Sequence, residues 1–294
     1  MDPLDYIPRI RSYYQALGYG APYVWARVRP VPFEPLAQPL SRARVGIITT
    51  AAPVRPGAGD QRAGSPVNGR AKFFDVVSCP MVPLPKLAIN HVAYDAANVV
   101  TDDDGAWFPG RALAAAAASG RVGSAAPRVI CVPTNRSQTR TRDDYAPQVT
   151  KLAREDRIDA AVLVPICPVC HQTMALVAQH LEEAGIATVL LGAARDIVVH
   201  VGAPRLAFSN MPLGAPAGPP GDPDMQAQVF ETALALLESA TEPAAEARSP
   251  AEWPDPTWQD AYANAATLDA DEIAARRAAF EQVKADGKKA PPAV

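Results

Sequence analysis

Two thiols stand at C-x-x-C spacing in Ile166–Thr173 (I-C-P-V-C-H-Q-T), between an apolar run and the head of an amphipathic one. A cysteine at a helix N-terminus lies among unpaired N–H groups and the positive end of the helix dipole, both of which favour the thiolate. A second thiol three residues on can close a disulfide and release whatever the first has bound. The expected chemistry is that of a redox dithiol, with Cys167 as nucleophile, Cys170 as resolving thiol and His171 as an acid/base or thiolate-stabilising neighbour. Pro168 suits the first helical position, where a missing N–H costs nothing.

Other readings use the same residues. Cys167, Cys170 and His171 could ligate zinc or another thiophilic metal, with His91, His200, Cys79 or Cys131 completing the set. C-x-x-C-H is also a c-type haem signature, but a buried strand beside it leaves no room for a macrocycle. A thiol-dependent lyase or racemase is a further alternative, although racemase chemistry favours two separated thiols over an adjacent pair. Cys79 (VVSCP) and Cys131 (VICVP) sit in apolar surroundings and read as structural.

Candidates for holding a small polar substrate lie elsewhere in the chain. His91, in NHVAYD, precedes Asp95 by one helical turn's spacing and reads as a base or substrate-orienting group held by a carboxylate. Asn135, Arg136 and Ser137 follow a strand's carboxyl end, where open α/β sheets bind ligands, and Arg136 could anchor a carboxylate. His200, behind Asp196, could reach the same cleft, whereas His180 reads as exposed. There is no P-loop, dinucleotide fingerprint, nucleophile elbow or H-E-x-x-H, and the Gly57–Gly59 loop alone is a weak signal.

The elements that must position these groups follow from periodicity. Strands are expected at RVGIITT (44–50), FFDVV (73–77), RVICV (128–132), DAAVLV (159–164) and TVLL (188–191), the first opening into the loop PVRPGAGDQRAGSPVNG. Helices are expected over 112–118, 145–155, 169–184, with Gly185 as the stop, and 226–237, with a thinner one at 271–284. Alternating strands and helices at this spacing give a parallel sheet with right-handed crossovers. The fold class is α/β: a three-layer, mostly parallel, Rossmann-like sheet with an N-terminal arm and a C-terminal helical tail. Residues 1–241 read as one α/β domain, with two lobes (1–127 and 128–241) as the alternative, and 242–294 as an arm or tail.

The chain has 294 residues, 48% of them hydrophobic and 20% charged, and a formal net charge of −3, enough to bury a sizeable core. Mild acidity argues against a nucleic-acid surface. No apolar stretch approaches the roughly 20 residues of a membrane span. MDPLDYIPRIRSYY lacks a signal core, so a cytoplasmic protein is expected, and its four cysteines do not make a disulfide scaffold. Apolar arms at both ends suit a homodimer.

Two stretches, RIDAAVLVPICPVCHQTMALVAQHLEEAGIATVLL and ARDIVVHVGAPRLAFSNMPLGAPAG, resemble the selenoprotein B subunits of the glycine, sarcosine, betaine and D-proline reductases, in particular relatives without selenocysteine. The resemblance is best over Asp159–Leu237, with PTNRSQ and NHVAYD also similar, and its specific points are the two cysteines, Thr173, Met174, EEAGI and the N-x-P-L-G of Asn210–Gly214. It implies reductive cleavage of a carbon–nitrogen bond, with a selenolate as nucleophile, nearby cysteines closing a selenenyl-sulfide, and electrons from a thioredoxin-type reductant. In those subunits the selenocysteine lies three residues before the first cysteine, where Val164 stands here; Cys167 and Cys170 match the two cysteines. The resemblance thus implies a thiol-only reductase, with a small-molecule substrate and no certain cofactor.

Overall fold

A computed structural model describes residues 1–53, 75–89, 91 and 93–289. The chain opens with helix α1 (Tyr6–Ala16) and an irregular arm, then enters β1 (Arg44–Thr49). Short β2 (Ala52–Pro53), β3 (Val77–Pro80) and β4 (Leu87–Ala88) precede α2 (Gly110–Ala118), β5 (Ser124–Ala125) and β6 (Arg128–Cys131). The turn α3 (Gln138–Arg140) runs through a π-helical turn, Thr141–Tyr145, into α4 (Ala146–Glu155). After it come β7 (Ala160–Val164), α5 (Pro168–Glu183), β8 (Ala187–Gly192), α6 (Arg195–Val201), β9 (Arg205–Phe208), α7 (Pro223–Ser239) and β10 (Ala245–Arg248). Helices α8 (Trp258–Ala261) and α9 (Ala270–Lys289) complete the described chain.

One sheet runs in the order β10-β9-β8-β7-β1-β6-β3, with β5 also on β1, while β2 and β4 form a separate antiparallel pair. Every pairing in the large sheet is parallel except β3 with β6. The central strands read as near-continuous apolar runs because both faces are covered. Val45, Ile47, Val162, Val164, Val189 and Leu191 join one buried cluster with α2 and α7. Ile48, Ile130, Leu163 and Leu190 join the other, with α4, α5 and α6. Each such side chain, fully buried, contributes about 1.5–3 kcal/mol. The sheet with helices on both faces is the expected α/β sandwich.

Several boundaries differ from the sequence reading. The lead-in arm contains α1, whose Pro8 falls in the first turn, where proline is tolerated. Segment 242–294, expected as an arm or tail, supplies β10, which pairs in parallel with β9. β1 lies between β6 and β7, so the chain on both sides of residue 127 shares one sheet. Of the FFDVV expectation, Phe73 and Phe74 lie outside the described residues, as does the loop after Pro53 with Gly57–Gly59; the observed strand begins at Val77. Among the described residues no helix is long and apolar enough to cross a membrane.

The strand order fixes where a site can form. From β1 the chain passes to β6 on one side, then returns to β7 on the other and continues outward through β8, β9 and β10. The strand order thus reverses between β1 and β7, and at such a switch point the carboxyl ends of the strands are where open α/β sheets place their sites.

Candidate active site

Cys167 follows β7 at that switch point. It is the N-cap of α5, extended at φ −117° and ψ 171°, and its Sγ accepts the Cys170 N–H at 3.3 Å. Pro168 takes the first helical position, and Gly185, at φ +84°, ends the helix. On the neighbouring strand end, Thr50 closes β1 onto β7: its N–H donates to Val164 O at 3.2 Å and its Oγ1 accepts from Ile166 N–H at 3.1 Å. The Thr50 carbonyl takes a hydrogen bond from His91 Nε2, 3.0 Å away. From the end of β6 comes Thr134, whose Oγ1 lies 3.1 Å from Cys170 Sγ.

These contacts bring His91, Cys167 and Cys170 together, with their donor atoms within 4.8 Å of one another and all three side chains buried. The two thiols differ sharply. Burial alone would raise Cys170, but the Cys167 thiol, the His91 imidazole and the Thr134 hydroxyl outweigh it and hold Cys170 well below the ordinary cysteine value. Burial pushes Cys167 well up, and its contact with Cys170 pushes it further. For His91, burial works against protonation, yet the charge and hydrogen bond of Cys170, with the Thr50 carbonyl, raise it. The directions favour ionisation at Cys170, which faces His91, over Cys167.

His171 sits differently from its expected role. Its Nδ1 is 2.8 Å from Cys167 O, and its Nε2 accepts the N–H groups of Ala193 at 3.0 Å and Ala194 at 3.1 Å. Two donors on Nε2 fix the tautomer with the proton on Nδ1, so neither nitrogen is left for a thiol or a metal. Burial lowers its pKa to about 4. Gly192 permits the packing, since a Cβ there would meet the ring at 3.2 Å. The third donor beside the cysteines is therefore His91 and not His171.

The remaining expected residues are dispersed. Asp95 accepts from Asn98 Nδ2 at 2.9 Å, so His91 is held by a backbone carbonyl in place of the expected carboxylate. Asn135 Oδ1 accepts from Ser137 N–H at 2.9 Å, and Ser137 Oγ accepts from Arg140 N–H at 3.2 Å, the turn and cap that start α3. Arg136 is exposed and lies 5.0 Å from the Tyr23 ring centroid. His200 falls in the last turn of α6, half-buried, outside the His91–Cys167–Cys170 group. Cys131 is hydrogen-bonded to Cys79, and neither is in a disulfide.

The arms close over the thiols. Gln172, two residues beyond Cys170, accepts from Ala26 N–H at 2.7 Å and donates to Tyr23 Oη at 2.7 Å. Tyr262 donates to Ala93 O at 3.0 Å and stacks edge-on against Tyr6, 5.6 Å between centroids. Desolvation raises the Tyr262 phenol well above its usual value, and Tyr6, Tyr14 and Cys167 add to the effect. Sequence reasoning missed Thr50 and Thr134. Thr50 ends a strand that it had placed and Thr134 lies two residues beyond another, so the rule that carboxyl ends line the site would have reached them.

Over 152 residues the chain is 27% identical to the D-proline reductase subunit gamma of Acetoanaerobium sticklandii, a match covering 51% of this chain and 62% of that one. This chain is related to the reductase family. It thus spans less than two thirds of the length of that relative. No family model matches the chain, and no solved structure does.

Proposed function

We propose that the protein is a thiol-dependent oxidoreductase in which Cys170, and not Cys167, is the attacking thiolate. The observation carrying this reading is the contact of buried Cys170 with His91 and Thr134. A thiolate paired with an imidazolium is a prepared nucleophile, and a protonated thiol beside it is suited to resolve the adduct. The assignment reverses the roles that helix position alone suggests. The dipole acts on any group near the helix start, whereas the imidazole acts on Cys170 specifically.

The reaction balances as follows. Cys170 S⁻ displaces an amine from a substrate carbon, forming a C–S bond and breaking the C–N bond; the amine leaves with a proton from the imidazolium of His91. Cys167 sulfur then attacks Cys170 sulfur, the carbon leaves with the Cys167 proton as C–H, and a disulfide remains. Two thiols are oxidised by two electrons and the C–N bond is reduced by two. A dithiol of thioredoxin type restores the pair. Both sulfurs are buried, which suits a small substrate, and the relative's name makes D-proline and similar cyclic amines the first to try. His171 positions the site by holding the first turn of α5 against the loop after β8.

The test is trapping. Cys167→Ser, incubated with D-proline or another small cyclic amine, should carry the substrate's mass on Cys170 in peptide mapping. Wild-type protein should convert the same compound only with a dithiol present. Neither adduct nor dithiol-dependent turnover across such a panel would refute the reading.

A further inference from the structure

We infer that, with both thiols reduced, His91, Cys167 and Cys170 form a binding site for one thiophilic divalent cation of the zinc class. The donor set is one imidazole nitrogen and two sulfurs, all within 4.8 Å of one another, a spread that closes to tetrahedral bonds by small side-chain rotations. Zinc bonds near 2.3 Å to sulfur and 2.0–2.1 Å to nitrogen put tetrahedral donors about 3.5–3.8 Å apart, so the group closes by roughly 1 Å. Nitrogen and sulfur donors without a carboxylate select against magnesium and calcium.

Each donor also has an outer partner. His91 gives Nε2–H to Thr50 O at 3.0 Å, which leaves Nδ1 with a lone pair. Cys167 Sγ receives the Cys170 N–H at 3.3 Å, and Thr134 Oγ1 lies 3.1 Å from Cys170 Sγ. Such outer bonds orient ligands and are usual around bound metals. Charge favours the same occupant: on binding, two protons leave the His91–Cys167–Cys170 group for solvent, and the resulting dithiolate complex of a divalent cation is neutral. Two adjacent thiolates buried without a cation would be costly. Three protein donors leave the fourth position open.

A bound cation engages both sulfurs, so metal occupancy and disulfide formation exclude one another. The cation would hold the pair reduced and idle until it is removed. This occupancy does not depend on the reductase reading.

Anaerobic titration of the reduced, metal-free full chain with Co²⁺ tests it. The expected result is one equivalent bound, with thiolate-to-cobalt charge-transfer absorption and the visible bands of a tetrahedral site, all displaced by Zn²⁺. His91→Gln should weaken binding by more than the roughly 10–100-fold of an outer-partner change, while Cys79→Ser leaves the spectrum unaltered. In wild-type protein, Zn²⁺ should protect Cys167 and Cys170 from alkylation and leave Cys79 and Cys131 unaffected, a readout that needs no variant to fold. Absence of the charge-transfer band, or its persistence in folded Cys167→Ser/Cys170→Ser protein, overturns the site. A reversible disulfide without a cobalt band removes the metal and keeps the reductase; a cobalt band without a reversible disulfide does the reverse.

Discussion

His91 and Cys170 meet at the carboxyl ends of β1 and β7, the imidazole steadied by the Thr50 carbonyl 3.0 Å from its Nε2 and raising the charge on the thiol it faces. Neither group would be ionised in so buried a place alone. Replacing His91 by Gln removes the counter-charge, so the Cys170 thiol should titrate at higher pH. The pH dependence of its alkylation, followed by peptide mapping, measures this, and turnover should fall by about 10²-fold or more. An unchanged profile would remove His91 from the site's chemistry.

The thiols should be unequal in the wild-type protein. Cys170 is held low and Cys167 high. Thiolate absorbance in the ultraviolet should therefore disappear in Cys170→Ser near neutral pH and survive in Cys167→Ser. Survival in both variants would mean that the proton is shared differently.

His171 makes stability depend on pH. Its folded value of about 4 lies below the unfolded value near 6.5, so the unfolded chain binds the proton more readily. Stability from this group is complete above pH 6.5 and declines as pH falls towards 4, by roughly 3 kcal/mol in all. Denaturant titrations at pH 7, 5.5 and 4.5 should show the slope in wild-type protein. A folded His171→Asn variant should lose that part of it.

Glu182 and Arg205 form a fully buried ion pair, 2.8 Å apart, joining the end of α5 to β9. Glu182 also accepts Thr188 N–H at 2.6 Å, and Arg205 donates to Glu34 O at 2.6 Å, which ties down the arm. Glu182→Leu strands the guanidinium and should destabilise the fold by about 3–5 kcal/mol. Glu182→Leu/Arg205→Met should recover much of that loss in a denaturant titration.

Tyr262 links the C-terminal segment to the arm over Cys167. Tyr262→Ala removes its bond to Ala93 O and its packing on Tyr6. Alkylation of Cys167 should accelerate in this variant while Cys131 keeps its wild-type rate. Equal rates at Cys167 would show that the thiol is reached from elsewhere.

The central β7–α5–β8 unit was legible because its signals are local: an apolar run, a proline at N1, a three- and four-residue repeat and a glycine stop. β9 and β10 are four residues each, too short for a period to register, and β10 (AEAR) has only alanines to bury. Helix α1 was hidden by its proline and low apolar content. At the site, adjacency in sequence misled. His171 follows Cys170, but the helical turn carries its ring back to the Cys167 carbonyl and under the loop after β8. His91 reaches Cys170 from a loop far away in the chain, a contact that no spacing rule encodes.

β10 also decides how the molecule behaves in company. Among the described residues it is the outermost strand, with β9 its sole neighbour in the sheet, and such a border can recruit strands from other molecules. Its outward residues are charged: Glu246 pairs with Arg195 at 2.6 Å and Arg248 reaches Met1 O at 2.8 Å. These charges resist the edge-to-edge pairing of one copy's sheet with another's, so the short strand acts as a guard against aggregation at the rim of the sheet.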